Sequence, residues 1–95
     1  MIEKCKIINK LGLHARASSK LVQVTNKFES EIFINCNGIK ANAKSILGIL
    51  SLAASCGTTI EVEAIGSDCK EAINSIKKVI EDKFGESEWV SKKRE

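Results

Sequence analysis

The chain contains a single histidine, His14, in the stretch GLHARASSKLV, and Arg16 follows it two positions later. A histidine ring nitrogen is a nucleophile that can take a phosphoryl group, and arginine supplies a permanent positive charge with N–H donors suited to phosphate oxygens. The helix-forming residues that follow predict that both lie at a helix start, where backbone N–H groups bind anions. His14 is therefore either a phosphoryl acceptor or a residue that only caps this helix.

A serine at the start of a second apolar helical pattern presents a similar pair of alternatives. Ser45 follows Lys44 in NAKSILGILSLAAS. Its hydroxyl either caps the helix or takes a regulatory phosphate, which Lys44 and the helix start would tolerate. Leu47 and Leu50 lie off the predicted buried stripe, so they form either an exposed surface suited to partner docking or part of the core.

The cysteines give little support for metal binding or for thiol chemistry. Four are present, with no Cys-x-x-Cys pair, and one histidine cannot complete a zinc site of usual ligand spacing. A cysteine nucleophile would need His14 as its base, and no cysteine is near His14 in sequence. We therefore expect reduced thiols, no metal and no cofactor.

Composition indicates one small globular domain. Of the 95 residues, 43% are hydrophobic and 28% are charged. The net charge of +3 is modest and only 4% of the residues are aromatic, so the composition does not favour nucleic-acid binding. A mildly positive face would suit an acidic protein partner. We expect no membrane insertion, because the longest uncharged stretch, residues 45–60, contains many polar residues. The N-terminus lacks a secretory signal pattern, so we expect a cytoplasmic location.

Hydrophobic periodicity predicts a strand, a helix and a hairpin in the first half of the chain. The strand lies in IEKCKII and ends before Asn9 and Gly12, and the helix covers about residues 16–27. The segments EIFIN and GIKANA form the hairpin, because Asn37-Gly38 suits a tight reversed turn. The predicted buried stripe of the helix consists of Ala17, Leu21, Val24 and Phe28.

The second half is predicted to contain a helix, a strand and another helix. The first helix follows Ser45 and stops at Gly57, and the strand is TTIEVEA. The last helix starts at Ser67 or Asp68 and stops at Gly85. The predicted buried stripes are Ile46, Ile49 and Ala53 in the first of these helices, and Ala72, Ile73, Ile76, Val79 and Ile80 in the last.

The element order βαββαβα lacks the repeated βα units of a doubly wound fold. It predicts an α+β open-faced sandwich, in which a four-stranded antiparallel sheet is covered on one face by three helices. Residues 1–86 form the predicted domain, and residues 87–95, with Trp89, form a predicted C-terminal tail.

Two motifs resemble one known family. GLHARASSKLVQ is similar to the phosphorylation-site motif of the histidine-containing phosphocarrier (HPr) family of the bacterial phosphoenolpyruvate-dependent sugar phosphotransferase system. NAKSILGILSLAAS resembles the regulatory serine motif of the same family. The similarity covers roughly residues 2–85 in register, and it implies the family's open-faced βαββαβα fold.

The resemblance implies a carrier protein rather than an enzyme. His14 matches the histidine that takes a phosphoryl group on Nδ1 from enzyme I and passes it to IIA components of sugar transporters, and Arg16 matches the arginine that contacts this phosphate. Ser45 matches the serine that an HPr kinase/phosphorylase modifies, which links the family to a catabolite control transcription factor. The implied partner-binding residues are Ala15, Ala17, Lys20, Leu47 and Leu50.

Ala17 departs from the family motif, which usually reads His-Ala-Arg-Pro. Proline would fix φ and bias Arg16 away from helix, so it defines where the helix starts. Alanine restores an N–H that becomes a further phosphate donor, or it lets the helix extend backwards and turn His14 and Arg16 out of position. We expect the fold to survive and the transfer rate to change.

A regulatory module is the rival hypothesis. The catabolite repression HPr-like protein keeps the serine site, lacks the histidine and acts as a serine-phosphorylated co-regulator with little carrier activity. NKFESEIFI and NAKSILGILSLAAS are compatible with either relative. The presence of His14 favours the carrier.

Overall fold

The computed structural model describes residues 1–86, in which four strands and three helices follow the predicted order βαββαβα. A short 3₁₀ turn, Lys83–Gly85, follows the last helix. The predicted tail and Trp89 lie outside the described residues, so the domain boundary at residue 86 stays a prediction. The elements are β1 (Ile2–Lys6), α1 (Ala15–Thr25), β2 (Glu31–Cys36), β3 (Ile39–Asn42), α2 (Ile46–Ser51), β4 (Thr59–Ile65) and α3 (Cys69–Glu81).

The strands form one antiparallel sheet in the order β1-β4-β2-β3. In the two central strands, alternate side chains point into the core, as their period-2 pattern predicts. Helices cover that face. The other face carries both polar and apolar side chains, among them Phe33 and Ile65, and Lys40 Nζ lies 3.4 Å from Glu63 Oε1. The predicted open-faced sandwich is therefore confirmed. The buried residues of the central strands are Ile32, Ile34, Cys36, Ile60, Val62 and Ala64.

The hairpin between β2 and β3 turns at the predicted pair. Asn37 has a φ of 51° and Gly38 a φ of 81°. Two successive positive φ angles match the twist of the flanking strands, and asparagine and glycine adopt them at low cost. Cys36 consequently pairs with Ile39 across the turn.

Helices α1 and α3 bury the stripes that their periodicity predicts. Ala17 and Leu21 of α1 are fully buried, whereas Val24 and Phe28 are half-buried. Helix α1 ends at Thr25 rather than near residue 27, so Phe28 lies beyond it. In α3 only Val79 of the predicted stripe is half-buried. The fully or nearly fully buried residues of α3 are Ala72, Ile73, Ile76 and Ile80.

The prediction for α2 was wrong at its C-terminal end. The helix stops at Ser51, well before Gly57, and Ala53 is exposed with a φ of 51°. The chain leaves the helix there because the Ala54 carbonyl accepts a hydrogen bond from Leu13 N at 2.9 Å. Ile46 was also predicted to be buried but is exposed. The residues that α2 and its exit bury are Ile49, Leu52 and Ala54.

Helix α3 begins directly after Asp68, as predicted, but it ends earlier than predicted. Asp68 occupies the N-cap position without capping the helix. Its carboxylate instead accepts hydrogen bonds from Ser30 Oγ, from Glu29 N at 2.9 Å and from Ser30 N at 3.0 Å. The Ser30 hydroxyl, and then the Glu29 amide, lower the pKa of Asp68. Helix α3 ends at Glu81 rather than Gly85, and the 3₁₀ turn after it buries Phe84.

Candidate functional site

His14 occupies the N-cap position of α1. Its backbone is extended, with φ −81° and ψ −176°, and its Nδ1 accepts a hydrogen bond from Arg16 N at 3.3 Å. Because Nδ1 accepts this bond, it is the unprotonated ring nitrogen, and its lone pair faces the first turn of the helix. His14 does cap the helix, and the same geometry directs a nucleophilic nitrogen toward backbone N–H groups suited to an anion.

The loop before His14 lies against the segment that follows α2. Gly12 has a φ of 69°, and a Cβ atom added there would lie 2.5 Å from the Ala54 oxygen and 2.9 Å from Ser55 Cα. Leu13 N donates to the same Ala54 oxygen at 2.9 Å. Only glycine fits both the backbone conformation and the space. From the sequence, Gly12 was expected only to end the first strand and to begin the histidine motif.

Two buried polar side chains complete this loop, and the sequence analysis did not assign either of them to the site. Asn9 is fully buried, and its Nδ2 donates to the Gly12 oxygen and to Glu86 Oε2, both at 2.9 Å. Glu86 also accepts from Leu11 N, at 3.1 Å to Oε1 and 3.2 Å to Oε2. Glu86 is 77 residues from Asn9, so no local pattern could connect them.

The first turn of α1 is fixed by Ser18 as well as by His14. Ser18 N donates to the His14 oxygen at 2.8 Å, and its buried hydroxyl donates to the Leu13 oxygen at 3.3 Å. Helix α1 starts at Ala15, so Ala17 is its third residue rather than its first, and Ala17 is fully buried. The predicted site residues Ala15, Arg16 and Lys20 are exposed.

Ser45 caps α2, since its Oγ accepts from Gly48 N at 3.0 Å. Lys44, expected to help hold a phosphate on Ser45, donates from Nζ to the Phe28 oxygen at 2.7 Å. This cation is therefore already engaged by the main chain that follows α1.

An apolar surface lies next to Ser45. Leu47 is 79% exposed and Ile46 40% exposed, while Leu50 is half-buried. The spacing of these residues places them on one side of α2. We call this surface the α2 patch (Ile46, Leu47, Leu50). Of the two leucines whose burial the sequence left open, Leu47 is therefore clearly exposed and Leu50 is partly exposed.

His14 and Ser45 lie toward opposite ends of α1. At its start, Leu13 contacts Ala54, which follows α2. At its end, Thr25 Oγ1 donates to the Ala43 oxygen at 2.9 Å, just before α2. The two helices are therefore antiparallel, and the 11 residues of α1 span about 16 Å. The structure does not bring the two predicted phosphorylation sites together.

Other side chains offer limited chemistry. Within residues 1–86, no group of three or more histidine, cysteine or acidic side chains is arranged to hold a metal. The same residues contain no helix long and apolar enough to cross a bilayer. The four cysteines are free, and burial raises the pKa of the Cys5 thiol, which disfavours the nucleophilic thiolate.

The model of the family described as PTS HPr component phosphorylation site matches residues 2–82. The chain belongs to the HPr family. HPr proteins are phosphocarriers, and the histidine motif and the serine motif both lie within the matched region.

Two similar HPr proteins come from different bacteria. The phosphocarrier protein HPr of Neisseria meningitidis serogroup A is 46% identical over 86 residues, which are 90% of this chain and 97% of the relative. HPr-C-His from Thermoanaerobacter tengcongensis, known from a crystal structure, has 44% sequence identity to this chain and a TM-score of 0.87. The match covers 90% of this chain and 96% of the HPr-C-His chain.

Another similar protein is named as HPr-like rather than as a phosphocarrier HPr. The HPr-like protein Crh of Halalkalibacterium halodurans is 45% identical over 82 residues, which are 85% of this chain and 98% of the relative. Overall similarity within the family therefore does not by itself separate the phosphocarriers from Crh.

The contact at Gly12 predicts unequal effects of two glycine substitutions. Gly38→Ala places alanine at a positive φ with nothing within 4 Å of the new Cβ, so it should lower the free energy of unfolding by about 1 kcal/mol. Gly12→Ala adds a clash with the Ala54–Ser55 backbone and should cost about 2 kcal/mol more. Urea denaturation of both variants measures the difference. Equal losses would show that the close approach at Gly12 does not constrain the loop.

Proposed function

We propose that the protein carries phosphoryl groups on His14 Nδ1, which accepts them from phosphorylated enzyme I and donates them to IIA components of sugar transporters. The observation that carries this proposal is the position of Nδ1, unprotonated and facing the first turn of α1. Membership of the HPr family supports it. We place the protein in the cytoplasm with these partners.

The transfer needs little from the carrier itself. The Nδ1 lone pair forms a bond to phosphorus as the bond between phosphorus and enzyme I breaks, and the electron pair of that bond stays on enzyme I. The proton on Nε2 stays in place, so the ring becomes a positively charged leaving group for the next transfer. Phosphoryl transfer depends mainly on positioning and charge stabilisation, which the helix N–H groups and the exposed Arg16 supply.

The partner surface consists of residues around the start of α1 together with the α2 patch. Ala15 and Lys20 are exposed, and Leu47 presents the largest exposed fraction of the patch. The side chain of Ala17 is fully buried, so it shapes the first turn rather than contacting a partner. An exposed apolar surface of this kind is typical of docking sites.

Ser45 provides regulation in this proposal. An HPr kinase would add a dianionic phosphate beside the α2 patch, and the phosphorylated form would bind a catabolite control transcription factor. Because α1 separates Ser45 from His14, the added charge would act on docking of enzyme I rather than on the reacting nitrogen. The exposed Leu47, two residues from Ser45, supports this route.

A regulatory module with little carrier activity is the second candidate. The similarity to the HPr-like protein Crh favours it, as does the alanine at position 17. The presence of His14 at the cap of α1 favours the carrier.

The carrier proposal predicts one phosphoryl adduct on His14. Incubation with phosphoenolpyruvate and enzyme I should give an acid-labile adduct, because a phosphoimidazole hydrolyses in acid whereas a phosphoserine does not. Intact-mass measurement before and after acid treatment detects it. His14→Ala should show no adduct, and Ser45→Ala should show the same adduct as the wild type. A folded wild type that takes no phosphoryl group from enzyme I, while a serine kinase and ATP still modify Ser45, would favour the regulatory module.

Ala17→Pro should raise the transfer rate and keep the fold. Proline disfavours helical backbone at Arg16, so it should release Nδ1 from the Arg16 N–H bond that occupies its lone pair. Breaking an exposed hydrogen bond costs about 1 kcal/mol, which corresponds to a rate gain of up to about five-fold. Rapid-quench measurement of phosphoryl transfer from enzyme I checks this. Ala17→Gly keeps the N–H and the helical freedom of Arg16, so it should give no gain. Equal rates for Ala17→Pro and the wild type would contradict the prediction.

Ser45→Asp should weaken docking without slowing the chemical step. Aspartate keeps an acceptor for the Gly48 N–H, so α2 stays capped, and the new charge lies beside the α2 patch. A penalty of about 1 kcal/mol would raise the KM for the protein as substrate of enzyme I about five-fold, with kcat unchanged. Ser45→Asn is the matched control, since it also caps the helix but carries no charge. A similar KM for both variants would argue against regulation by charge.

A further inference from the structure

The carboxylate of Glu86 is held by the loop that precedes His14. Glu86 is only 5% exposed, and its oxygens accept from Asn9 Nδ2 at 2.9 Å and from Leu11 N at 3.1 and 3.2 Å. A buried carboxylate that loses its donors is strongly unfavourable. The loop and Glu86 therefore fix each other.

The Asn9 amide extends this contact toward His14. Its Nδ2 donates one hydrogen to Glu86 and the other to the Gly12 oxygen, at 2.9 Å in both cases. A carboxylate has no hydrogen to donate, so the NH₂ group of Asn9, rather than its oxygen, must face Glu86. The same orientation allows Asn9 to hold the carbonyl two residues before His14.

The other side of the loop is fixed by main chain. Leu13 N donates to the Ala54 oxygen, and Gly12 has no room for a side chain there. The loop is thus held between the exit of α2 and Glu86, and His14 follows directly as the cap of α1. A shift at Leu11 or Gly12 would move the imidazole relative to the N–H groups of the first turn.

We infer that Glu86 is a positioning residue for phosphoryl transfer, which acts through Asn9 and Leu11 to hold His14 at the start of α1. This inference rests on the proposed function, because the transfer rate is its main measurable consequence. Glu86 touches neither the reacting nitrogen nor the phosphoryl group in this mechanism. It should therefore affect the chemical step and leave the docking surface unchanged.

Glu86→Gln tests the inference. Glutamine places an NH₂ group either against the Asn9 amide, which must then turn and lose Gly12, or against the Leu11 N–H, which then loses its acceptor. The rate constant at saturating enzyme I should fall about ten-fold or more, with the KM within two-fold of the wild type, since small misplacements cost large factors in rate. Glu81→Gln is the matched control, because Glu81 is exposed at the end of α3, and it should leave both constants unchanged.

Two further variants separate positioning from stability. Ile76→Val removes a methylene group from the core on α3 and lowers the melting temperature without touching the loop, so it should retain the wild-type rate. Glu86→Asp keeps the buried charge with a shorter reach and should show an intermediate rate, which carries the test if the glutamine variant does not fold. A raised KM, a wild-type rate in both Glu86 variants, or an equal loss of rate in Ile76→Val would overturn the inference.

Amide exchange distinguishes a failure of this inference from a failure of the proposed function. In the unphosphorylated protein, Glu86→Gln should increase hydrogen exchange at Leu11 N about ten-fold and shift the ¹⁵N resonances of the His14 ring, while Glu81→Gln should change neither. If the wild type takes no phosphoryl group, the carrier proposal fails, and these measurements alone decide whether Glu86 holds the loop. Unchanged exchange at Leu11 would refute it.

Discussion

The close approach of Gly12 to the Ala54–Ser55 backbone is the constraint on which the candidate site depends. The chain must pass from the edge strand β1 into α1 while the exit of α2 occupies the same space, and a Cβ at Gly12 would lie 2.5 Å from a carbonyl oxygen. At that contact Leu13 N donates a hydrogen bond to the Ala54 oxygen, and the backbone of His14 is extended at the N-cap position of α1. At this cap position Nδ1 accepts the hydrogen bond from Arg16 N, so its lone pair faces the helix.

The antiparallel packing of α1 and α2 separates two kinds of chemistry on one small surface. His14 lies where α1 begins, and Ser45 lies near its end. The exposed side chains of the α2 patch lie next to Ser45 along the helix, so a charge at that serine would act electrostatically on a partner that covers the patch. In the proposed function, the reacting nitrogen and the regulatory hydroxyl therefore act on the same complex without touching each other.

Much of the fold followed from the sequence because local patterns determine it. Alternating apolar residues fixed the buried face of β4, Asn37-Gly38 fixed the hairpin turn, and the stripe of α3 matched its core contacts. The failures came where a distant contact overrides local preference. Apolar periodicity extended α2 through Ala53, but a main-chain hydrogen bond with Leu13 ends the helix earlier. Of the site, His14 was predictable from its motif, whereas Asn9 and Glu86 depend on a long-range pairing that no local pattern encodes.

The pairing of Asn9 with Glu86 also bears on how the protein is made. Synthesis proceeds from the N-terminus, and 77 residues separate the two partners. The loop before the histidine therefore lacks its buried carboxylate throughout translation of the sheet and of α3, and it acquires that partner only when Glu86 has left the ribosomal tunnel. Given the proposed role of Glu86, a nascent chain exposes the histidine motif before the loop that positions it is fixed, and the motif reaches its final geometry only after Glu86 has been synthesised.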